Sequence, residues 1–173
     1  YGDHRDLHSF PIRRSSDLGQ RFLAFDLGAE SGRAVMGELS AGKLALSEVH
    51  RFPNEPVLLP DGLHWDSLRL HHEIESGLRR AVQAHGPDYA GIAVDTWGVD
   101  YGLLGQGDLL LGEPYHYRDH RTDEILAQAF SLVPRDEIFA ATGIRIMPIN
   151  TLFQLLAARA GSSTLLESAE NLL

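Results

Sequence analysis

Apolar and polar positions along this chain alternate in short blocks that predict strands first and helices later. Three runs of strand character, 22–26, 32–39 and 44–52, follow one another across tight turns that contain glycine. Because such short connections are typical of antiparallel neighbours, the pattern predicts a three-stranded meander. The next segment, 53–62, contains Pro53, Pro56 and Pro60, and we expect no regular structure there.

An amphipathic helix and a buried strand are predicted after this proline-rich segment. Asp66 or Ser67 can cap a helix whose apolar residues, Leu70 and Ile74 among them, recur at helical spacing until Gly86 ends it. The run 90–95 is almost continuously apolar, which is typical of a parallel strand buried on both faces. Beyond it we expect a hairpin of 100–105 with 109–111 around 106–108, and helices at 123–133, 135–141 and 151–160.

This order of elements predicts an α/β fold. A meander followed by a helix and a parallel strand is the order of the ribonuclease-H-like domains, in which crossover helices flank a mixed sheet. The order alone is only moderately specific, so the chemistry at the turns has to support it.

Composition limits the classes of function. The chain has 173 residues, no cysteine and a formal net charge of −9. Lack of cysteine excludes disulfides and thiolate metal sites, and we expect a cytoplasmic protein. The acidic balance argues against a nucleic-acid partner, and no apolar run approaches the roughly 20 residues of a membrane span. The oligomeric state has no signal in the sequence.

The two ends of the chain differ from its middle. Residues 1–18 lack hydrophobic periodicity and resemble one translated frame of a common sequencing adapter, except that Ile12 replaces a threonine. We therefore expect 1–20 to be a disordered leader foreign to the fold, and 21–173 to be the domain. The chain stops at 171–173, inside a predicted helix or the approach to a strand. We therefore also expect this N-terminal domain to be truncated at its C-terminus.

The first turn carries candidate phosphate chemistry. Asp26 ends a predicted strand, and a glycine-bounded turn follows it, with the hydroxyl of Ser31 and the guanidinium of Arg33. Glycines let a backbone approach a phosphate, unpaired N–H groups bind anions, and a carboxylate suits Mg²⁺. An ordinary β-hairpin also favours Asp and Gly at its turn, so the motif alone leaves both alternatives open.

Four stretches in order then resemble one known family. The segment 25–33 resembles the first phosphate motif of the superfamily that contains actin, Hsp70 and the sugar kinases. The segment 94–101 (VDTWGVDY), the segment 117–122 (YRDHRT) and the segment 143–155 resemble successive blocks of the FGGY carbohydrate kinases. The resemblance extends from about residue 22 to the end of the chain and implies the ribonuclease-H-like fold of that superfamily.

The resemblance also implies a reaction and a set of site residues. FGGY kinases transfer a phosphoryl group from ATP, with Mg²⁺, to a sugar hydroxyl. The implied metal residue is Asp26, acting through water. The implied ATP phosphate-binding residues are Ala29, Glu30, Ser31, Gly32 and Arg33. The implied sugar-binding residues are Gly98, with Trp97, Tyr117 and Asp119 as weaker candidates. The family's general base, an aspartate, falls outside this sequence, so we expect no catalytic base here and no turnover by the chain alone.

The resemblance of segment 94–101 to the FGGY kinases implies a ketose substrate, above all L-rhamnulose, converted to its 1-phosphate in rhamnose catabolism. Kinases of L-fuculose or D-xylulose, a non-kinase actin-like ATPase and a sugar-sensing regulator remain alternatives. Trp97 could equally be a core residue. His116 and His120 have the spacing of a metal pair, but in loop sequence we expect both to face solvent.

Overall fold

The structure, a computed structural model, describes residues 19–161 and 163–173. Its strands are β1 (Gln20–Leu27), β2 (Ser31–Ser40), β3 (Lys43–Pro53), β4 (Val57–Leu59), β5 (Gly62–His64), β6 (Gly91–Asp95), β7 (Leu103–Leu104) and β8 (Asn171–Leu172). Its α-helices are α1 (Ser67–His85), α2 (Ile125–Leu132), α3 (Arg135–Thr142), α4 (Thr151–Ala160) and α5 (Thr164–Ser168), and 3₁₀ turns cover Gln106–Asp108 and His120–Thr122. Of the expected foreign leader, 1–20, residues 1–18 lie outside the described residues, and Gln20 belongs to β1.

One mixed sheet organises the fold, in the order β3-β2-β1-β6. The meander of β1, β2 and β3 is antiparallel throughout, as predicted. Strand β6 lies parallel to β1, with Asp26 opposite Asp95 in the register. The chain reaches β6 through α1, so the predicted α/β fold with a mixed sheet and a crossover helix is confirmed.

The main core lies between the sheet and α1. Leu23 and Phe25 alternate along one face of β1 and pack with Ala34 of β2, Phe52 of β3 and Ala81 of α1. Helix α1 begins where predicted, because the Asp66 side chain accepts a hydrogen bond from the backbone N–H of Arg69 at 2.8 Å. The packing places α1 against β2 and β3.

A second, smaller core joins the helices of the C-terminal half. Ile125 and Ala129 of α2 pack with Phe153 and Ala157 of α4. The structure confirms the predicted helices in this region to within two residues at either end.

Three sequence predictions about the fold were wrong in part. The proline-rich segment contains half of a regular hairpin, β4 with β5. Pro56 and Pro60 lie just outside the two ends of β4, so neither proline has to donate a hydrogen bond within the ladder. Strand β6 is not buried on both faces, because Ile92 is 58% and Val94 54% exposed. Among the described residues, β6 forms an edge of the sheet.

The third difference concerns the predicted hairpin near residue 106. Its turn is present, since Gly105 N–H bonds to the carbonyl of Leu109 and Leu111 N–H to the carbonyl of Leu103. Of its predicted first strand, 100–105, however, only β7 is regular, and β7 pairs with β8 near the end of the chain. A partner almost 70 residues away could not be inferred from local alternation.

Candidate functional site

The turn between β1 and β2 is held in place from behind. Gly28 N–H bonds across the turn to the carbonyl of Ser31 at 3.0 Å. Asn54, only 5% exposed, donates its side-chain amide to the carbonyl of Gly28 at 2.7 Å and its backbone N–H to the carbonyl of Glu30 at 3.0 Å. Asn54 carried no signal in the sequence, because it lies in the segment expected to be irregular. Its contacts give the turn a fixed shape before any ligand arrives.

Asp26 and Arg33 form an ion pair across the mouth of this turn. Arg33 Nε and Nη2 lie 2.8 and 2.7 Å from the same carboxylate oxygen, Oδ2 of Asp26. Both side chains are about half exposed, so the pair is worth at most about 1 kcal/mol and can open for a ligand. Asp95 is the register partner of Asp26 on the parallel strand β6. The two carboxylates therefore lie side by side at the carboxyl ends of β1 and β6. The parallel register alone could have predicted Asp95 here.

Two glycines of the predicted site have opposite surroundings. A Cβ added to Gly32 would lie 2.1 Å from Cζ of Phe52, so packing alone demands glycine there. A Cβ added to Gly98 would meet nothing within 4 Å. Packing therefore does not account for glycine at position 98, and the space in front of it is open. A cavity of about 230 Å³ beside it is lined by Gly98, Val99, Ile144, Ile146 and Phe153, with other residues of α3 and α4.

Trp97 belongs to an aromatic stack rather than to an isolated position. Its indole lies parallel to that of Trp65 with the ring centroids 4.0 Å apart. The centroid of the Trp65 ring also lies 4.0 Å from that of His116, and His116 in turn stacks on Tyr117 with the centroids 4.6 Å apart. The Trp65 Nε1–H donates to Asp100 Oδ2 at 2.5 Å. The stack brings predicted sugar residues Trp97 and Tyr117 into one cluster.

His116 is buried, and the expectation that it faces solvent was wrong. Its ring is 1% exposed because Trp65 and Tyr117 cover it, and the backbone N–H of Arg118 donates to its Nδ1 at 3.0 Å. Burial lowers the pKa of His116 below its ordinary value, which favours the neutral ring. His120 is exposed as expected. No group of three potential metal ligands occurs in the part of the chain that the structure describes.

Both carboxylate oxygens of Asp119 accept hydrogen bonds from the backbone of the fold itself. Oδ2 accepts a hydrogen bond from the backbone of Leu63 at 2.7 Å, and Oδ1 accepts one from the backbone of Arg121 at 2.9 Å. The side chain is 9% exposed. Both oxygens thus join β5 to the 3₁₀ turn at 120–122, and a sugar contact by Asp119 stays a prediction.

Known proteins with similar sequences are rhamnulokinases. The chain is 42% identical over 156 residues to a rhamnulokinase of Bacteroides thetaiotaomicron, a match that covers 90% of this chain and 32% of that protein. Identity to a rhamnulokinase of Oceanobacillus iheyensis is 39% over 151 residues, 87% of this chain and 32% of that protein. The chain therefore spans about a third of the length of these relatives. No model of a known protein family matches it.

Solved structures with a similar fold are sugar kinases. A gluconate kinase from Lactobacillus acidophilus superposes with a TM-score of 0.77 at 15% identity, covering 90% of this chain and 31% of that one. A ligand-bound xylulose kinase from the same organism gives a TM-score of 0.76 at 16% identity, covering 88% of this chain and 31% of that one. The chain is thus a homologue of rhamnulokinases over the segment it spans, with the fold of sugar kinases.

Proposed function

We propose that this chain is the N-terminal part of an ATP-dependent sugar kinase that phosphorylates a ketose, L-rhamnulose in particular. The supporting observation is the 42% identity to a curated rhamnulokinase along 90% of the chain. The open glycine at position 98 and the preformed turn after Asp26 are the features that such a reaction requires of this segment. We also propose that the reaction takes place in the cytoplasm. Among the described residues, no helix is both long and apolar enough to cross a membrane.

The turn after β1 is the proposed phosphate site. Backbone N–H groups between Ala29 and Arg33, the Ser31 hydroxyl and the Arg33 guanidinium can donate to phosphate oxygens. Arg33 leaves Asp26 for the phosphate at small cost, because an exposed ion pair contributes little. Gly32 serves this site indirectly, by letting Phe52 pack beneath the turn. Glu30 is exposed, and its backbone contributes rather than its carboxylate.

Asp26 is the proposed magnesium residue. Arg33 contacts only its Oδ2, and the half-exposed carboxylate at the end of β1 is a hard oxygen donor of the type Mg²⁺ prefers. When bound with ATP, the metal would neutralise charge on the phosphate oxygens. Asp95, beside Asp26 in the sheet, adds a second negative charge at the same edge.

The sugar is proposed to lie over Gly98. The missing side chain leaves room for the ligand, while Trp97 and Tyr117 offer aromatic faces to its C–H groups. Catalysis of phosphoryl transfer consists mainly of positioning and charge stabilisation, so a rigid wall at this place matters. We propose that the general base and the adenosine site belong to the longer protein, and we expect no transfer by the chain alone.

A substrate panel tests the proposed function. The longer protein that contains this chain should release ADP from Mg-ATP in the presence of L-rhamnulose, with a higher kcat/KM than for L-fuculose or D-xylulose. Activity confined to another ketose would contradict the L-rhamnulose assignment. Absence of ADP release with every sugar would contradict the kinase assignment itself.

The variant Gly98→Ala should impair the use of the sugar without changing the stability of the fold. Its Cβ meets no neighbour, so we expect an unchanged melting temperature of the chain. In the longer protein the added methyl should lower kcat/KM for the ketose about 10- to 200-fold, the range for one methyl group in a fitted pocket. Gly91→Ala is the matched control, since its Cβ makes only ordinary contact with Phe22. Full activity of Gly98→Ala would place the sugar elsewhere.

A further inference from the structure

Gln154 on α4 is a buried polar residue that contacts three separate parts of the fold. Its side chain is 1% exposed. The amide nitrogen Nε2 lies 3.1 Å from the carbonyl of Val99, 2.8 Å from Asp100 Oδ1 and 2.9 Å from the carbonyl of Ile149. The amide oxygen accepts a hydrogen bond from Arg121 at 2.6 Å. Three acceptors on one side and a donor on the other fix which way the amide points.

These contacts converge on the loop 96–100, which carries Trp97 and Gly98. Gln154 holds the loop by both backbone and side chain, through Val99 and Asp100. Thr151, one turn earlier on α4, adds a hydrogen bond from its hydroxyl to the same Val99 carbonyl at 2.7 Å. Helix α4 thus determines where the backbone at 98 lies relative to the rest of the fold.

Asp100 extends the network to the aromatic stack. Its Oδ1 accepts from Gln154 and its Oδ2 from the indole N–H of Trp65. Trp65 in turn stacks on Trp97, the residue next to Gly98. The two ends of the loop are therefore held by one carboxylate, with Gln154 orienting it on one side. Buried hydrogen bonds of this kind act together, because an unpaired polar group would be costly there.

We propose that Gln154 is a positioning residue for the sugar-binding loop 96–100. It makes no hydrogen bond to the candidate sugar residues Trp97 and Gly98, and it acts by fixing Val99 and Asp100, and through them the place of Gly98 and the face of Trp97. This proposal rests on the function proposed above for its catalytic consequence, but its structural part does not. A residue that only filled the core could be replaced by any side chain of equal size.

The first test is spectroscopic and uses the chain itself. Trp65 and Trp97 are its only two tryptophans, and stacked indoles produce an exciton couplet in the far-ultraviolet circular dichroism. Gln154→Met keeps the length of the side chain and removes every hydrogen bond, so we expect the couplet to lose most of its amplitude. Gln128→Met, an exposed position on α2, is the control and should keep the full couplet. An unchanged couplet in folded Gln154→Met would overturn the proposal.

Gln154→Glu is a second variant for the same test, to be used if Gln154→Met fails to fold. It keeps the size of the side chain and the oxygen for Arg121, but it cannot donate to Val99 and repels Asp100. We expect a reduced couplet in folded protein, and an intact couplet would contradict the proposal.

The second test measures kinetics in the longer protein. Gln154→Met should raise KM for the ketose about tenfold, equivalent to about 1.4 kcal/mol, while KM for Mg-ATP changes little. Equal losses with both substrates would indicate a general structural defect and contradict the positioning role. If the unaltered protein phosphorylates no sugar, the proposed function fails, whereas the spectroscopic result still decides the structural part.

Discussion

Replacing Glu73 with alanine is expected to lower the free energy of unfolding by about 1–3 kcal/mol. Glu73 lies on α1, is 7% exposed, and its two oxygens contact His50 Nε2 at 2.6 Å and Arg69 Nε at 2.6 Å. His50 on β3 is itself almost fully buried. Removing the carboxylate leaves the His50 ring without its partner between the sheet and the helix, and that unsatisfied polar group accounts for most of the loss.

The same carboxylate makes the stability depend on pH. Burial acts to raise the pKa of Glu73, but the hydrogen bonds from His50 and Arg69 outweigh it, and the pKa lies below the ordinary value of 4.5. A group with a lowered pKa in the folded state stabilises fully above its unfolded pKa and less as the pH falls through the folded pKa. Stability should therefore fall as the pH drops below about 4.5, and it should fall less steeply in Glu73→Gln.

Urea unfolding of the chain at several pH values measures both effects. Glu75→Ala is the matched control on the same helix, because Glu75 pairs with Arg79 and His71 at the surface. That variant should lose no more than about 1 kcal/mol. A loss in Glu73→Ala as small as in Glu75→Ala would mean that the buried pair contributes little to the fold.

Local signals in the sequence were sufficient for the sheet and its first helix. The meander follows from alternation and short turns, and α1 from a cap at Asp66 and a stop at Gly86, all of which depend on residues near in sequence. The hairpin β4–β5 escaped prediction because proline was taken to exclude pairing, whereas it excludes pairing only at the position it occupies.

The candidate site could be predicted only where its parts are neighbours in sequence. The turn after Asp26 is such a part. Burial of His116 and the contact of Gln154 with Asp100 join residues about 50 positions apart, and no periodicity reports such pairs. At Gly32 the sequence is ambiguous in another way, because the predicted phosphate motif and the packing of Phe52 would each require glycine at this position. Structure is needed to separate those two reasons.

Gly32→Ala should therefore destabilise the chain by about 3 kcal/mol, before any ligand is considered. The new Cβ would lie 2.1 Å from Cζ and 2.6 Å from Cε2 of Phe52, which is the register partner of Gly32 on β3 and is 3% exposed. The ring is enclosed in the main core and cannot swing aside without displacing its neighbours. Urea unfolding measures the loss, and Gly98→Ala, whose Cβ has free space, serves as the control.

A second substitution distinguishes the clash from every other effect at this position. In Gly32→Ala with Phe52→Leu, the smaller side chain makes room for the new methyl group, so the two losses should not add. We expect the double variant to be more stable than the sum of the single variants predicts by about 1–2 kcal/mol. Additive losses would show that Phe52 is not what requires glycine, and that the requirement lies in the conformation of the turn. Non-additivity would assign the requirement for glycine at position 32 to its packing against Phe52.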